Sequence, residues 1–401
     1  MTDVLVITTK YSEHENNPYL TNDLVEILKK DCLNISIINI DWQHKKSEFL
    51  IKSIKSKKHH LLQISLPEYK VLGVFKLPFR WICATFVVAY TSIKFKKINS
   101  KIIITFSPCI HGFLTVFLAK LIYRSKAKHV IWDFFPLHHT ELKLIPIYLT
   151  GILKFVEESF MRIADNIICI NENYSEFLKN NYKVNKCKIL NLQLWGNNLK
   201  TSEISNVLKK IVIKDNSINM IYGGQLVEGR DLDFIIKFSK KMENNSKNFR
   251  LIIIGSGKNF HDIEKLIYQL EITNVILLQQ LQRDVYLNLL AHCHIGYIAL
   301  DDRINSPSFP SKIIDYTKAG LAVIYQGPST GGMQKFIEEN QIGVNILSSY
   351  DENLKEEIIL NFVSNSVEIE ICKKNSLKCY GNNFDINNCN VVANVSRVFL
   401  K

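Results

Sequence analysis

Apolar runs of strand length alternate with stretches of helical period along most of the chain. DVLVITT (3–9), LNISIINI (33–40), KIIITFSP (101–108), KHVIWDF (128–134) and DNIICI (165–170) are short, β-branched and nearly continuous in apolar character. Between them lie segments such as NDLVEILKKD and FLTVFLAKLIY. Parallel strands joined by crossover helices give this pattern. After a polar stretch, LWGNNLKTSEISNVLKKIVIKDNSI, the alternation restarts with NMIYGG, DFIIKFSKKM, RLIIIGSG, HDIEKLIYQLE, VILLQQ, VYLNLLAHC, HIGYIAL, SKIIDYTKAG and LAVIYQ. The reading is an α/β protein of two doubly wound, Rossmann-like domains, one over 1–200 and one over 201–380. A C-terminal helix within 381–401 is expected to pack back on the first.

Size and composition agree with this. A chain of 401 residues that is 47% hydrophobic can bury a large core, and two domains suit it better than one. The start, MTDVLVITT, has no basic segment leading into an apolar one, so no secretory signal is read and the protein is expected in the cytoplasm. Nine scattered cysteines without a CxxC fit a reducing compartment. His292, Cys293 and His294 are the nearest approach to a metal cluster, but they fall where a helix runs into a strand whose successive residues face opposite ways, and metal binding is not expected there.

Charge changes the picture more. The formal balance is +12, and from Tyr69 to Trp132 there is no Asp or Glu at all, while eleven lysines and arginines lie in that span. Just upstream, HKKSEFLIKSIKSKKHH adds six lysines against one glutamate. Such a surface attracts anions: phospholipid headgroups, phosphates or nucleic acid. No nucleic-acid-binding signature accompanies it, so nucleic acid is not expected as a partner. VLGVFKLPFRWICATFVVAYTSIKFKK and FLTVFLAKLIYRSKAK mix aromatic, apolar and basic residues, but each run is interrupted or shorter than the roughly 20 residues of a spanning helix. They read either as core helices or as helices that also lie on an anionic membrane surface.

Ligands of doubly wound folds sit beyond the carboxyl ends of the strands, where glycine-containing loops let backbone N–H groups approach phosphate. The candidates are Gly223 and Gly224 after NMIY, Gly255-Ser256-Gly257 after RLIII, and Gly331-Gly332 after the last strand. Three such places in one domain point to a nucleotide or phosphorylated ligand. Lys312 and Asp315, three apart on a helix, share a face and can meet one ligand.

The order of these motifs resembles the family 4 retaining glycosyltransferases of GT-B fold. GGQLVEGRDLDFII, LIIIGSG, VILLQQ, PSFPSKIIDYTKAGLAVIYQG and TGGMQKFIEENQIGVNI carry the resemblance over most of 215 to 350, and SKIIDYTKAGLAVI is similar to a pattern common in surface-polysaccharide members. VIWDFFP and EESFMRIADNIICINENYSEFLK match the first half more loosely. The resemblance implies two Rossmann-like domains facing each other across a cleft. It also implies a nucleotide-sugar donor, a UDP- or GDP-sugar, used without cofactor or metal. The acceptor it implies is a lipid-linked or growing surface glycan, capsule or O-antigen for example, at the inner face of the plasma membrane. Lys312 and Arg230 would neutralise the leaving diphosphate, and Asp315 would hold the ribose. Gly223, Gly224, Gln225, Gly255, Gln280 and Leu281 would line the donor site. Ser308, Phe309, Pro310 and Ser311 would supply backbone and stacking contacts to it. In the first domain Asn17 and Tyr19 are acceptor candidates, and Asp133 and His138 could position or deprotonate the acceptor hydroxyl.

Two departures stand out. Gln225 occupies a place where the family usually has arginine, and Pro307 falls where many members have the first of two glutamates. They keep open two alternatives, a GT-B nucleotide-sugar epimerase and an inactive glycan- or membrane-binding partner subunit. Asp231 and Asp233 mimic a metal-binding DxD but open a helix, which reads as capping. Nothing in the sequence names the sugar or linkage, or sets an oligomeric state.

Overall fold

The computed structural model describes residues 2–13, 19–42, 49–55, 59–67, 76–196, 209–210, 213, 216–244 and 248–400. They form two compact units. One comprises Met1–Asn197 with Ile386–Lys401, the other Asn198–Asp385.

The first unit holds β1 (Thr2–Thr8), β2 (Cys32–Asp41), β3 (Leu50–Lys55), β4 (His59–Ser65), β5 (Ile102–Phe106), β6 (Lys126–Ile131), β7 (Asn166–Cys169) and β8 (Ile189–Asn191). They make one sheet in the order β3-β4-β2-β1-β5-β6-β7-β8. All neighbours are parallel except β3, which runs antiparallel along β4. Val4 to Ile7 of β1 are almost fully buried, as a central parallel strand covered on both faces requires. The helices are α1 (Leu20–Leu28), α2 (Lys76–Lys94), α3 (Phe113–Tyr123), α4 (Leu137–Glu141), α5 (Ile147–Ile163) and α6 (Glu172–Asn181).

One face of this sheet packs against α1 and the last helix of the chain, through Leu24, Leu28, Trp195, Val395 and Phe399. The other packs against α2, α3 and α5, through Ala84, Val88, Val116, Ala119 and Phe160. The outer side of α2 is also apolar: Phe79, Ile82, Phe86, Tyr90 and Ile93, three or four residues apart, are all exposed. Among the described residues, no helix is long and apolar enough to cross a membrane.

The second unit holds β9 (Ile218–Gln225), β10 (Phe249–Ser256), β11 (Val275–Leu278), β12 (Ile295–Ala299), β13 (Ala322–Gly327) and β14 (Gly343–Leu347). Its helices are α7 (Asp233–Asn244), α8 (Phe260–Gln269), α9 (Arg283–Leu290), α10 (Lys312–Lys318), α11 (Met333–Asn340), α12 (Glu352–Ser364) and α13 (Ser366–Asn383). The strand order is β11-β10-β9-β12-β13-β14, all parallel. Counted from β9 this is the dinucleotide-fold order, whose direction of winding reverses between β9 and β12. The final helix, α14 (Cys389–Leu400), belongs to the first unit. Trp195 ties it there, donating its indole N–H to the Leu20 carbonyl at 2.8 Å while its ring meets Phe399 edge-on. Lys128, buried in β6, donates to the Val398 carbonyl, and its burial pulls the ammonium down to a pKa of about 8.

Candidate functional site

The carboxyl ends of β9 and β12 part at the point where the second sheet reverses its winding, and the side chains of interest gather there. Gly224, next to the last residue of β9, has a φ of +147° that side chains rarely adopt, and a Cβ on it would come within 2.7 Å of the Lys312 Cε. Its neighbour across the ladder, Gly255, is packed so closely that a Cβ would lie 1.9 Å from the Gly224 carbonyl oxygen. The absence of side chains here is what lets α10 bring Lys312 against the β9 backbone.

Lys312 is the first residue of α10. Its ammonium lies 4.4 Å from the centre of the Tyr222 ring and 3.4 Å from that residue's hydroxyl. Burial drives its pKa well below the ordinary lysine value; Arg230 pushes the same way and Asp315 opposes it. The α10 helix is fixed by Tyr316, whose hydroxyl accepts from the Gly223 N–H and donates to the Tyr297 carbonyl, each at 3.2 Å. Asp315 is buried and paired with Arg283, Nη2 to Oδ1 2.5 Å, at the start of α9. Arg283 is absent from the residues picked out by sequence. The available signal was its position directly after the loop that carries Gln280 and Leu281.

A diphosphate set against Lys312 would restore its charge. The ligand prefers the protonated amine, so binding raises the pKa and takes up a proton wherever the free amine is partly neutral. Nucleoside diphosphate titrations in alkaline buffers of different ionisation enthalpy should therefore show proton uptake, and affinity should fall as pH rises. The K312M variant should show none of this uptake.

Arg230 sits half-buried in the turn after β9, its Nη1 3.1 Å from the Gly229 carbonyl. That turn is tied to the segment after β12, where Asp301 N–H donates to the Gly229 carbonyl at 3.2 Å and Arg303 meets Glu228 at 2.9 Å. Asp231 accepts from the Asp233 N–H at the start of α7 and, at 3.0 Å, from the Gln326 side chain. It is a helix-start group in this fold. Ser308, Phe309 and Pro310 are buried, and a Cβ on Gly331 would lie 2.0 Å from the Ser308 carbonyl. The buried Phe309 ring packs edge-on against Phe336. Ser311 is exposed just before α10. Gln225 is exposed, its carbonyl accepting from the Tyr222 hydroxyl, and Gln280 accepts from the Ser256 hydroxyl at 2.9 Å beside the half-buried Leu281. The structure thus brings Lys312, Arg230, Asp315 and Gly224 together, with Gln280 and Leu281 two strands away beyond β11.

In the first unit, Asp133 is exposed at the end of β6 and His138 half-buried in α4. Tyr19 is exposed just before α1, while Asn17 lies outside the described residues. The EESFMRIADNIICI stretch read from the sequence begins at Glu157, whose buried partners the sequence did not show. Glu157 of α5 accepts from the Ser107 hydroxyl at 2.6 Å with the His129 ring 3.5 Å away, and Thr105 meets that ring's other nitrogen at 2.9 Å. Cys293 is buried, and the His294 Nδ1 accepts from the Asn219 N–H at 3.1 Å. No group of three or more metal-ligating side chains comes together among the described residues.

Residues 203–377 match the family described as glycosyl transferases group 1. No curated protein sequence matches the chain. Among solved structures it is similar to sucrose-phosphate synthase from Thermosynechococcus elongatus, at 12% identity and a TM-score of 0.74 over 100% of this chain and 98% of that one. The glycosyltransferase WaaG, involved in lipopolysaccharide biosynthesis, is similar at 12% identity and a TM-score of 0.68, over 99% of each chain. Anabaena HepE, solved in complex with UDP-glucose, is similar at 13% identity and a TM-score of 0.68, over 99% of this chain and 98% of that one. The fold is GT-B, and with the group 1 domain it supports a glycosyltransferase.

Proposed function

We propose that the protein moves a hexose from a UDP- or GDP-sugar to a lipid-linked or growing surface glycan, with retention of anomeric configuration and without a metal. The observation that carries this reading is the Lys312 ammonium, held beside Arg230 at the carboxyl end of β9 with Asp315 on the same helix. Negative charge grows on the leaving diphosphate as the glycosidic bond to phosphate breaks. Two preorganised cations at that place stabilise it more in the transition state than in the ground state. Asp315, held by Arg283, presents its other carboxylate oxygen to the ribose hydroxyls. The donor's own phosphate oxygen takes the acceptor proton on the face the diphosphate leaves, which retains configuration. Tyr19 and Asn17 contact the acceptor, and Asp133 and His138 position its hydroxyl. The acid-free span would hold the protein at the cytoplasmic face of the membrane where such an acceptor is found.

A thermal-shift screen against UDP, GDP, ADP, CMP and their sugars tests the reading. A ligand at 100 times its Kd stabilises by about 2.7 kcal/mol, enough for a clear rise in Tm. UDP or GDP is expected to give it. Stabilisation by none of the nucleotides would sink the reading.

A further inference from the structure

The helices α2, α3 and α5 lie side by side in one layer, with their inner faces in the core of the first unit. A surface layer of this kind ordinarily turns polar side chains outward. Here the outward positions are apolar on all three: Phe86 (63% exposed) and Tyr90 on α2, Leu121 on α3, and Tyr148 (75%), Ile152 and Phe155 on α5. The neighbouring exposed residues of α2 and α3, among them Ile82, Ile93 and Ile122, are apolar as well, and clustered exposed apolar side chains of this kind mark partner or membrane surfaces. Around it are Lys94, Lys96, Arg124 and Lys143, all exposed. The Lys94 ammonium lies 5.6 Å from the centre of the Tyr90 ring, its stem along the apolar face and its charge at the margin. Neither α2 nor α3 carries an acid, and the two glutamates of α5, Glu157 and Glu158, are buried.

We infer that this three-helix face inserts into the headgroup and upper acyl region of an anionic bilayer. The apolar side chains supply most of the binding and the basic margin supplies the choice of lipid. A second copy of the chain fits the face less well. A two-fold contact sets the same surface against itself, so the margin would meet like charge, whereas an anionic lipid neutralises it. For its purpose the inference rests on the reading of a membrane-held acceptor; the binding itself is measured without donor or acceptor.

The test is flotation of the full chain with phosphatidylcholine vesicles, with and without phosphatidylglycerol, at low and high salt. Wild type is expected to float with the anionic vesicles and to keep part of that binding at high salt. Changing Phe86, Tyr90, Tyr148 and Phe155 together to glutamine should cut vesicle binding at least tenfold at both salt levels. Changing Lys94 and Lys96 to glutamine should cut it mainly at low salt. Nucleotide-dependent thermal stabilisation, followed in the same samples, should be unchanged in both variants. Binding by the aromatic variant equal to wild type would overturn insertion, as would a wild-type dimer in light scattering that the same variant converts to monomer. Wild type that answers to nucleotide but floats with no vesicle overturns the membrane inference alone. Flotation without any response to nucleotide overturns the transferase reading alone.

Discussion

Replacing Lys312 by alanine is expected to lower kcat by about two to three orders of magnitude, the usual cost of removing one donor aimed at developing charge. The size follows from where the amine sits. It is half-buried against the Tyr222 ring and Gly224, in surroundings that disfavour its charge until an anion arrives. A cation in such a place interacts more strongly with a departing diphosphate than an exposed lysine does, because little water competes for either. Alanine at Arg230 should act in the same direction. Since both interactions grow as the bond breaks, kcat should fall more than donor affinity, which separates this role from simple phosphate binding. Initial rates over a range of donor concentrations give both quantities. Turnover within a few-fold of wild type for K312A would remove the residue from the chemistry.

The second large effect is structural. Gly255→Ala would place a methyl carbon 1.9 Å from the Gly224 carbonyl oxygen. That oxygen cannot easily retreat, because Gly224 is still held in the β9–β10 ladder opposite Gly255 itself. Overpacking of this kind costs about 3 kcal/mol. In a domain of this size that lowers Tm by roughly 6–12 °C. The same displacement moves Gly224 against the Lys312 stem, so nucleotide-dependent stabilisation should disappear together with the lost stability. Calorimetry of G255A with and without the preferred nucleotide reads both. An unaltered Tm with full nucleotide response would show that the close approach is not required.

Much of the second unit was legible because five of its six strands are nearly continuous apolar runs ending in glycine or a polar turn; the sixth, β14, is interrupted by Asn345 and is not marked by the pattern. The place where Lys312 and Asp315 would act could be read from a helix beginning directly after prolines. What the residues could not show was the partner across space. Arg283 reaches Asp315 from another helix, and nothing in the local pattern of either marks the pairing. Nor did the pattern reveal β3, whose LIKSIK alternates weakly and carries lysines; in the sheet it is an edge, where lysine discourages further strand pairing. Glu157 opens the quoted EESFMRIADNIICI stretch, but its burial beside Ser107 and His129 is set by tertiary packing and leaves no mark in that pattern. The apolar stretches of α2 and α3 left core and membrane face as alternatives. The helices have one buried face and one exposed apolar face, and only their rotation against the sheet shows which residues point outward.

The return of α14 to the first unit carries a consequence for synthesis. The ribosome delivers the first 197 residues early, yet the helix that covers Leu24, Leu28 and Trp195 comes last. Everything between 197 and 386 must be translated first, which at about 5–20 residues per second takes roughly ten to forty seconds. Through that interval the nascent chain bears an uncovered strip of leucine, valine and tryptophan, a natural client surface for chaperones.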